Sequence, residues 1–280
     1  MANKAICPVC FHHCALSEGQ TGLCRARGNR GGEVVSLSYG LVTSIALDPV
    51  EKKPFSRWQS GKYILSVGTF GCNLSCAFCQ NASISQVGEE AETDSLSPER
   101  LADLAKEFVS RDNVGAAFTY NEPLIGWEYV YDSAKLLHEK GLLVALVTNG
   151  TAEPEILEKL LPYVDAMNID LKTWSAESYK KLGGDLDTVK RTITRAAKSC
   201  HVEVTTLAVP GISDSVEDMD REAAWLASIS EELPLHISRY FPRWKMDEPM
   251  TPMGTMEKLC ETARKHLRYV YAGNCYTTRC

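Results

Sequence analysis

The sequence predicts an α/β fold built on a parallel sheet, and three observations carry that expectation. Six times in succession, a short β-branched or apolar run precedes a segment with apolar residues at helical spacing. The unusual polar residues recur at one place in each unit: "TFGC", "TYNEP", "TNG", "DLK", "VPG" and "RYFP" each close a strand-like run. Glycine-rich phosphate fingerprints of the GxGxxG or GxxxxGK type are missing, which argues against a nucleotide-binding doubly wound sheet. Eight units would close a full barrel. Six suggest an open, partial barrel or a doubly wound sheet.

Residues 1 to about 32 are rich in Cys, Gly and Arg and show little periodicity, so they read as a small knuckle held by ligands. "EVVSLSYGLVTSIALDPV" (33–50) is β-branched and partly alternating, the pattern of a short hairpin. A polar connector with Pro54 and Gly61 follows. "YILSVGT" then opens the first unit and runs straight into a cysteine loop. "SPERLADLAKEFVSR" offers Ser97 as N-cap and Pro98 at the first helical position. Strand "VGAAFTYNEP" leads to a helix over "IGWEYVYDSAKLLHEKG", stopped by Gly141. The alternation continues with "LLVALVTNG" and "EPEILEKLLPYV", then "DAMNIDLK" and "LDTVKRTITRAAKSC". "HVEVTTLAVPG" with "VEDMDREAAWLASIS" and "LPLHISRYFP" with "TMEKLCETARKHL" complete it, before a short last strand, "RYVYAGN". The expected organisation is a Cys-rich knuckle and hairpin over 1–60, a core over 61–245, and a C-terminal helix, strand and Cys-containing tail over 246–280.

Lys plus Arg number 30 against 36 Asp plus Glu, a net charge of −6. Such a chain is a poor match for nucleic acid or an anionic membrane surface. The start "MANKAICPVC" lacks the apolar run of a signal peptide, and no stretch approaches the ~20 apolar residues of a membrane helix. A cytoplasmic protein is expected. The 11 cysteines are odd in number and clustered, which in a reducing compartment favours metal or cluster ligation over disulfides.

The most informative stretch is "GCNLSCAFCQ", with Cys72, Cys76 and Cys79 on one loop. A structural zinc site closes with four ligands. Three thiolates leave one position open, as in a four-iron cube whose fourth iron awaits an exogenous ligand. Because active sites of parallel α/β folds gather at the carboxyl ends of strands, Asn121, Glu122, Asn149, Asp170, Lys172 and Arg239 can face the same cavity as this loop.

The spacing Cys72-x-x-x-Cys76-x-x-Cys79 after a first strand, with aromatic Phe78 before the third cysteine, resembles the signature of the radical S-adenosylmethionine superfamily. The resemblance extends over roughly residues 60 to 275. It implies a partial (β/α)6, TIM-like barrel behind a small Cys-rich N-terminal extension. It implies a [4Fe-4S] cluster at the three cysteines and S-adenosylmethionine on the open iron, cleaved to a 5′-deoxyadenosyl radical. "TYNEP" occupies the place of the Gly-Gly-Glu-Pro of glycyl-radical-enzyme activating enzymes, the pyruvate formate-lyase activase group. By that resemblance Glu122 accepts a hydrogen bond from the cofactor's amino group, although Tyr120 and Asn121 replace two glycines. Thr148 and Asn149 of "VTNG" resemble residues lining the cofactor pocket. Asp170 and Lys172 of "NIDLK" resemble an acid and a lysine beside the cofactor's carboxylate and ribose, and their spacing puts both on one strand face. His236 resembles a histidine near the adenosyl group, although core burial suits a histidine equally well. "TYNEP", "NIDLK", "HISRYFP", "VYAGN" and the Cys-rich start together resemble the radical enzymes of the AmmeMemoRadiSam system. The implied partners are a donor such as flavodoxin or ferredoxin and a protein or small-molecule substrate. A non-catalytic, metal-binding interaction protein is the competing reading, and the intact Cys72, Cys76, Cys79 and Glu122 count against it.

Cys7, Cys10, Cys14 and Cys24 form a second cluster, C-x-x-C-x-x-x-C-x9-C. Four soft ligands suffice for a closed site holding zinc or for an auxiliary iron–sulfur cluster. His12 and His13 lie among them and could replace one cysteine. Their distance in sequence from the strand-end residues suggests a centre not needed for cofactor cleavage. Cys200 and Cys260 read as small hydrophobes on helices, and "GNCYTTRC" as a mobile tail.

Overall fold

In the computed structural model, which describes residues 4–275, eight strands form one central sheet. They are β1 (Ser44–Pro49), β2 (Tyr63–Gly68), β3 (Asn113–Phe118), β4 (Leu143–Thr148), β5 (Ala166–Asp170), β6 (His201–Ala208), β7 (Leu235–Arg239) and β8 (Val270–Gly273). Each pairs with its neighbour in sequence, so the order runs unbroken from β8 to β1. β2 through β8 are parallel, and β1 is antiparallel to β2. A doubly wound sheet would reverse its order at a switch point. This sheet never does, and among the described residues β1 and β8 do not pair with each other. The architecture is therefore the partial barrel, with one antiparallel strand added at its edge.

Helices α1 (Pro98–Glu107), α2 (Trp127–Glu139), α3 (Pro154–Leu160), α4 (Leu186–Ala196), α5 (Val216–Ile229) and α6 (Met253–Ala263) fill the connections. Ser97 caps α1 by accepting from Arg100 N at 3.2 Å, with Pro98 at the first turn. Asp185 and Ser215 cap α4 and α5 in the same way. Gly141 ends α2 at φ +72°, a conformation that costs glycine little.

Strand alternation divides the sheet residues between two faces. The outward set, including Leu65, Val67, Phe118, Leu146, Ile169, Val204 and Ile237, packs under the helices as the main core. The inward row is small: Ser66, Ala117, Ala145 and Ala166 are aligned across β2 to β5. That leaves room for Val50 and Phe55, which pack with Ile64, Ala117, Ala145 and Ala166 and stop the amino-terminal end of the barrel. Glu203 on β6 holds this stopper, accepting from Ser56 N at 3.0 Å and Arg57 N at 2.8 Å.

Residues 33–50 depart from the hairpin expected of them. Glu33–Ser36 pairs back with Arg27–Arg30, while Ser44–Pro49 pairs forward as β1 with β2. Leu41–Val42 pairs with Asp94–Ser95. Cys260 is buried on α6, whereas Cys200 lies beyond the end of α4. The expected tail falls largely on residues 276–280, outside the described residues. No described helix is long and apolar enough to cross a membrane.

One buried acid on α5 gives a pH signature. Glu222 accepts from Thr206 Oγ1 on β6 at 2.5 Å, and burial pushes its carboxyl from 4.5 up to about 8. The folded state then holds this proton more tightly than the unfolded chain, so stability falls as pH rises through that interval. Glu222→Gln keeps an acceptor and cannot ionise. It is expected to match the parent below the lower value and to exceed it at pH ~9 by on the order of a few kcal/mol. Unfolding curves at both pH values test this, and the same offset at each would sink it.

Candidate active site

The cysteine loop leaves β2 through Gly71, at φ +86°. Its first residues are fixed from outside: Cys72 N donates to Cys24 O at 3.1 Å, and Asn121 Nδ2 donates to Phe70 O and Gly71 O, both at 3.1 Å. Leu74 N points at Cys72 Sγ (3.4 Å), a turn joins Cys79 N to Cys76 O (3.1 Å), and Cys79 Sγ lies 3.2 Å from Ser85 Oγ. Cys76 and Phe78 pack in an apolar cluster with Leu74, Leu182, Val209 and Tyr240, against which Cys72 and Cys79 rest. Burial, and then the charge of Glu122, raises the Cys72 thiol far above its ordinary value. Burial pushes Cys76 up to about 11, with the Lys172 ammonium pulling the other way. The bare Cys72 and Cys76 thiols hold their protons, and a bound metal has to displace them.

Among the described residues, no three His, Cys, Asp or Glu side chains converge closely enough for a single metal ion. The donors on this loop are soft thiols spread along eight residues, a set suited to the separate iron corners of a cube.

Two groups flank the loop. On the side of β3 and β4, Glu122 is 2% exposed. It accepts from Thr148 Oγ1 at 2.6 Å, Asn149 N at 2.7 Å and Leu124 N at 2.9 Å. Burial raises its carboxyl to about 7, and these three donors hold it from rising further. Of the roughly four acceptor positions on a carboxylate, the protein already uses three. Asn149 Nδ2 in turn points at Cys72 Sγ (3.7 Å) and donates to Asn73 Oδ1 (2.9 Å). On the other side, Lys172 Nζ meets Asp170 Oδ2 at 2.7 Å. Burial works against the Lys172 charge, but the Asp170 carboxylate outweighs it, so the ammonium is held charged.

Other sequence candidates are placed elsewhere. Asn121 gives its amide to the backbone of residues 69–71. Tyr120 stands at φ +72°, where glycine is at ease, and its hydroxyl donates to Asp48 Oδ2 at 2.8 Å under the Lys53 ammonium. His236 shares the inward row of Asp170 and Thr205, but its Nε2 is taken by Glu203 at 2.5 Å. Arg239 is a correction: it lies on the strand face opposite His236, and its Nε donates to Thr251 O at 2.7 Å, outside the cavity. The residues that sequence reasoning missed are Asn73, Ser85 and Tyr240. Asn73 sits inside the cysteine motif itself.

Cys7, Cys10, Cys14 and Cys24 line one enclosed pocket, and Asn73 of the cysteine loop forms part of its wall. The cluster thus lies beside the cysteine loop despite its distance from it in sequence. His12 lines the same pocket and its Nε2 bonds Asn73 O at 3.0 Å, while His13 pairs with Glu153 at 3.2 Å.

The comparisons with known proteins centre on this loop. The family profile described as Radical SAM superfamily matches residues 66–223. An uncharacterized protein of Methanocaldococcus jannaschii is 38% identical over 278 residues, covering 97% of this chain and 82% of the relative. The pyruvate formate-lyase-activating enzyme of Clostridium pasteurianum is 26% identical, covering 71% of this chain and 87% of the relative. In three dimensions, a domain of a pyruvate formate-lyase-activating enzyme from Bacteroides vulgatus aligns with a TM-score of 0.51 at 17% identity, over 57% of this chain and 98% of that domain. Streptococcus suis SuiB bound to S-adenosylmethionine aligns with a TM-score of 0.58 at 12% identity, over 73% of this chain and 48% of SuiB. At such identities the structures speak for the fold alone. The sequence match takes in more than half of the chain, from β2 through the cysteine loop to α5, and on that ground the chain belongs to the radical SAM superfamily.

Proposed function

We propose that this protein uses a [4Fe-4S] cluster held by Cys72, Cys76 and Cys79 to cleave S-adenosylmethionine reductively, yielding a 5′-deoxyadenosyl radical for hydrogen abstraction in the manner of the glycyl-radical-enzyme activating enzymes. The observation that carries this reading is the three-thiol loop set between Glu122 and Asn149 on one side and Lys172 and Asp170 on the other. In this reading the charged Lys172 takes the cofactor's carboxylate and Asp170 its ribose side. Glu122 fixes Asn149 beside Cys72, and its one remaining acceptor position is left for the cofactor's amino group. Phe78 and Tyr240 supply apolar walls that keep water from the site. A flavodoxin- or ferredoxin-like donor in the cytoplasm provides the electron.

One observation favours a substrate other than those of the activating enzymes. Identity to the Clostridium pasteurianum activase is 26%, against 38% to the Methanocaldococcus jannaschii relative. Tyr120, in the place of a glycine, also puts a ring against the inner wall. Under this second reading the same cleavage chemistry, as in the AmmeMemoRadiSam system, serves a small molecule or another modification.

The test is direct. Anaerobically reconstituted, reduced protein is expected to release 5′-deoxyadenosine and methionine in equal amounts from S-adenosylmethionine, read by liquid chromatography. No 5′-deoxyadenosine from protein that carries its iron and sulfide would sink the proposal. A glycyl-radical EPR signal on an added enzyme would separate the first reading from the second.

A further inference from the structure

The densest group of chemistry-bearing side chains outside the strand ends is the N-terminal quartet. Cys7, Cys10 and Cys24 are buried, and Cys14 closes the pocket with them. Two tight turns deliver them, with His13 at φ 41° before Cys14 and Arg25 at φ 66° after Cys24. The segment is tied to the barrel at Val9, whose carbonyl accepts from Glu153 N at 2.9 Å, and at Cys10, which bridges to Ala152, but its own secondary structure is slight. Ala5–Ile6 and Ala15–Leu16 pair over two residues each, and so short a ribbon is not stable alone. Small segments without a core usually need a metal or disulfides, and none of the four is in a disulfide. Four soft thiols around one apolar-walled pocket are the ligand set of zinc or an iron–sulfur centre, and since as they stand they do not converge on one ion, binding has to draw them together.

The pocket is joined to the cysteine loop at three points. Cys24 O accepts from Cys72 N at 3.1 Å. His12 Nε2 lies 3.0 Å from Asn73 O. The Asn73 amide reaches the Cys10 thiol, donates to Thr151 Oγ1 at 2.7 Å and receives Asn149 Nδ2 at 2.9 Å. Asn73 follows Cys72 directly in the chain, so a shift of Cys10 or Cys24 toward a shared ligand moves the backbone that presents Cys72.

We propose that the quartet holds a four-thiolate metal centre, and that this centre positions Cys72 through Asn73 and the Cys24 carbonyl. The second half rests on the cluster assigned under the proposed function.

Two arms keep the failures apart. In the full chain with Cys72, Cys76 and Cys79 changed to alanine, metal retained after anaerobic purification reports the quartet alone. About one zinc, or about four irons with as much sulfide, upholds the site and identifies its occupant. Neither metal overturns it. With the loop cysteines intact, Asn73→Ala should keep the quartet metal yet change the EPR signal of the reduced cluster when S-adenosylmethionine is added. Cys7→Ser with Cys10→Ser should lose the metal and change the signal in the same way. Signals identical to the parent overturn the coupling, and Asn73→Ala decides alone if the double variant does not fold. If the parent forms no cluster, coupling is read as the alkylation rate of Cys72, which should differ at least severalfold between metal-loaded and chelator-stripped protein; equal rates overturn it.

Discussion

Changing Cys72, Cys76 and Cys79 together to alanine is expected to remove about four irons per chain and all release of 5′-deoxyadenosine. The loss should be one of chemistry, not of fold. The anchors of the loop are main-chain groups, the Cys72 amide on Cys24 O and the Gly71 carbonyl under Asn121, and alanine keeps both. Thermal unfolding of the triple variant should therefore stay cooperative, with a cost of roughly 1 kcal/mol per site, the ordinary size for a point change. Iron and sulfide analysis with circular dichroism checks both halves. A triple variant that keeps its full iron and sulfide would falsify the assignment of this loop.

Gly71→Ala is expected to do nearly as much from a residue that carries no chemistry. A Cβ there would lie 2.4 Å from Cys24 O and 2.9 Å from Ala26 Cβ, and the backbone sits at φ +86°. The conformation alone costs about 1–2 kcal/mol for a non-glycine residue. The clash is with main chain, so relief means parting the Cys72–Cys24 contact and its ~1 kcal/mol hydrogen bond. The variant should bind iron poorly and unfold at lower temperature. Gly31→Ala is the control, at φ +67° with nothing within 4 Å; it should show the conformational cost and normal iron content. Equal iron in both variants would mean that the knuckle does not brace the loop.

What the sequence made legible was mostly local. Ser97, Pro98 and Gly141 announce helix ends because a cap and its partners lie within one turn. The parallel sheet was readable from the alternation of units, and the partial barrel only from the family resemblance that the cysteine loop carries, because strand order is set by pairing across long separations. Residues 33–50 misled because the partner of Glu33–Ser36 is Arg27–Arg30, a stretch with no β pattern of its own. Arg239 misled because alternation tells which residues share a face but not which face looks inward. Asn73 stood in plain view between two motif residues. Its meaning lies in Cys10, Asn149 and Thr151, each more than sixty positions away.

The unbroken strand order also has a consequence for assembly during synthesis. Each strand pairs only with one already made, so the sheet can be laid down in the order in which the ribosome delivers it. The polar anchors of the first part of the cysteine loop, from Cys24, Asn121, Glu122 and Asn149, are present soon after β4 has emerged, whereas Leu182 O and Lys245 N, which hold Ser75 and Ala77, come later. Its apolar cover arrives later, Leu182 ahead of α4, Val209 after β6 and Tyr240 after β7. A nascent chain thus passes through an interval in which the three thiols are already presented and still uncovered on one side.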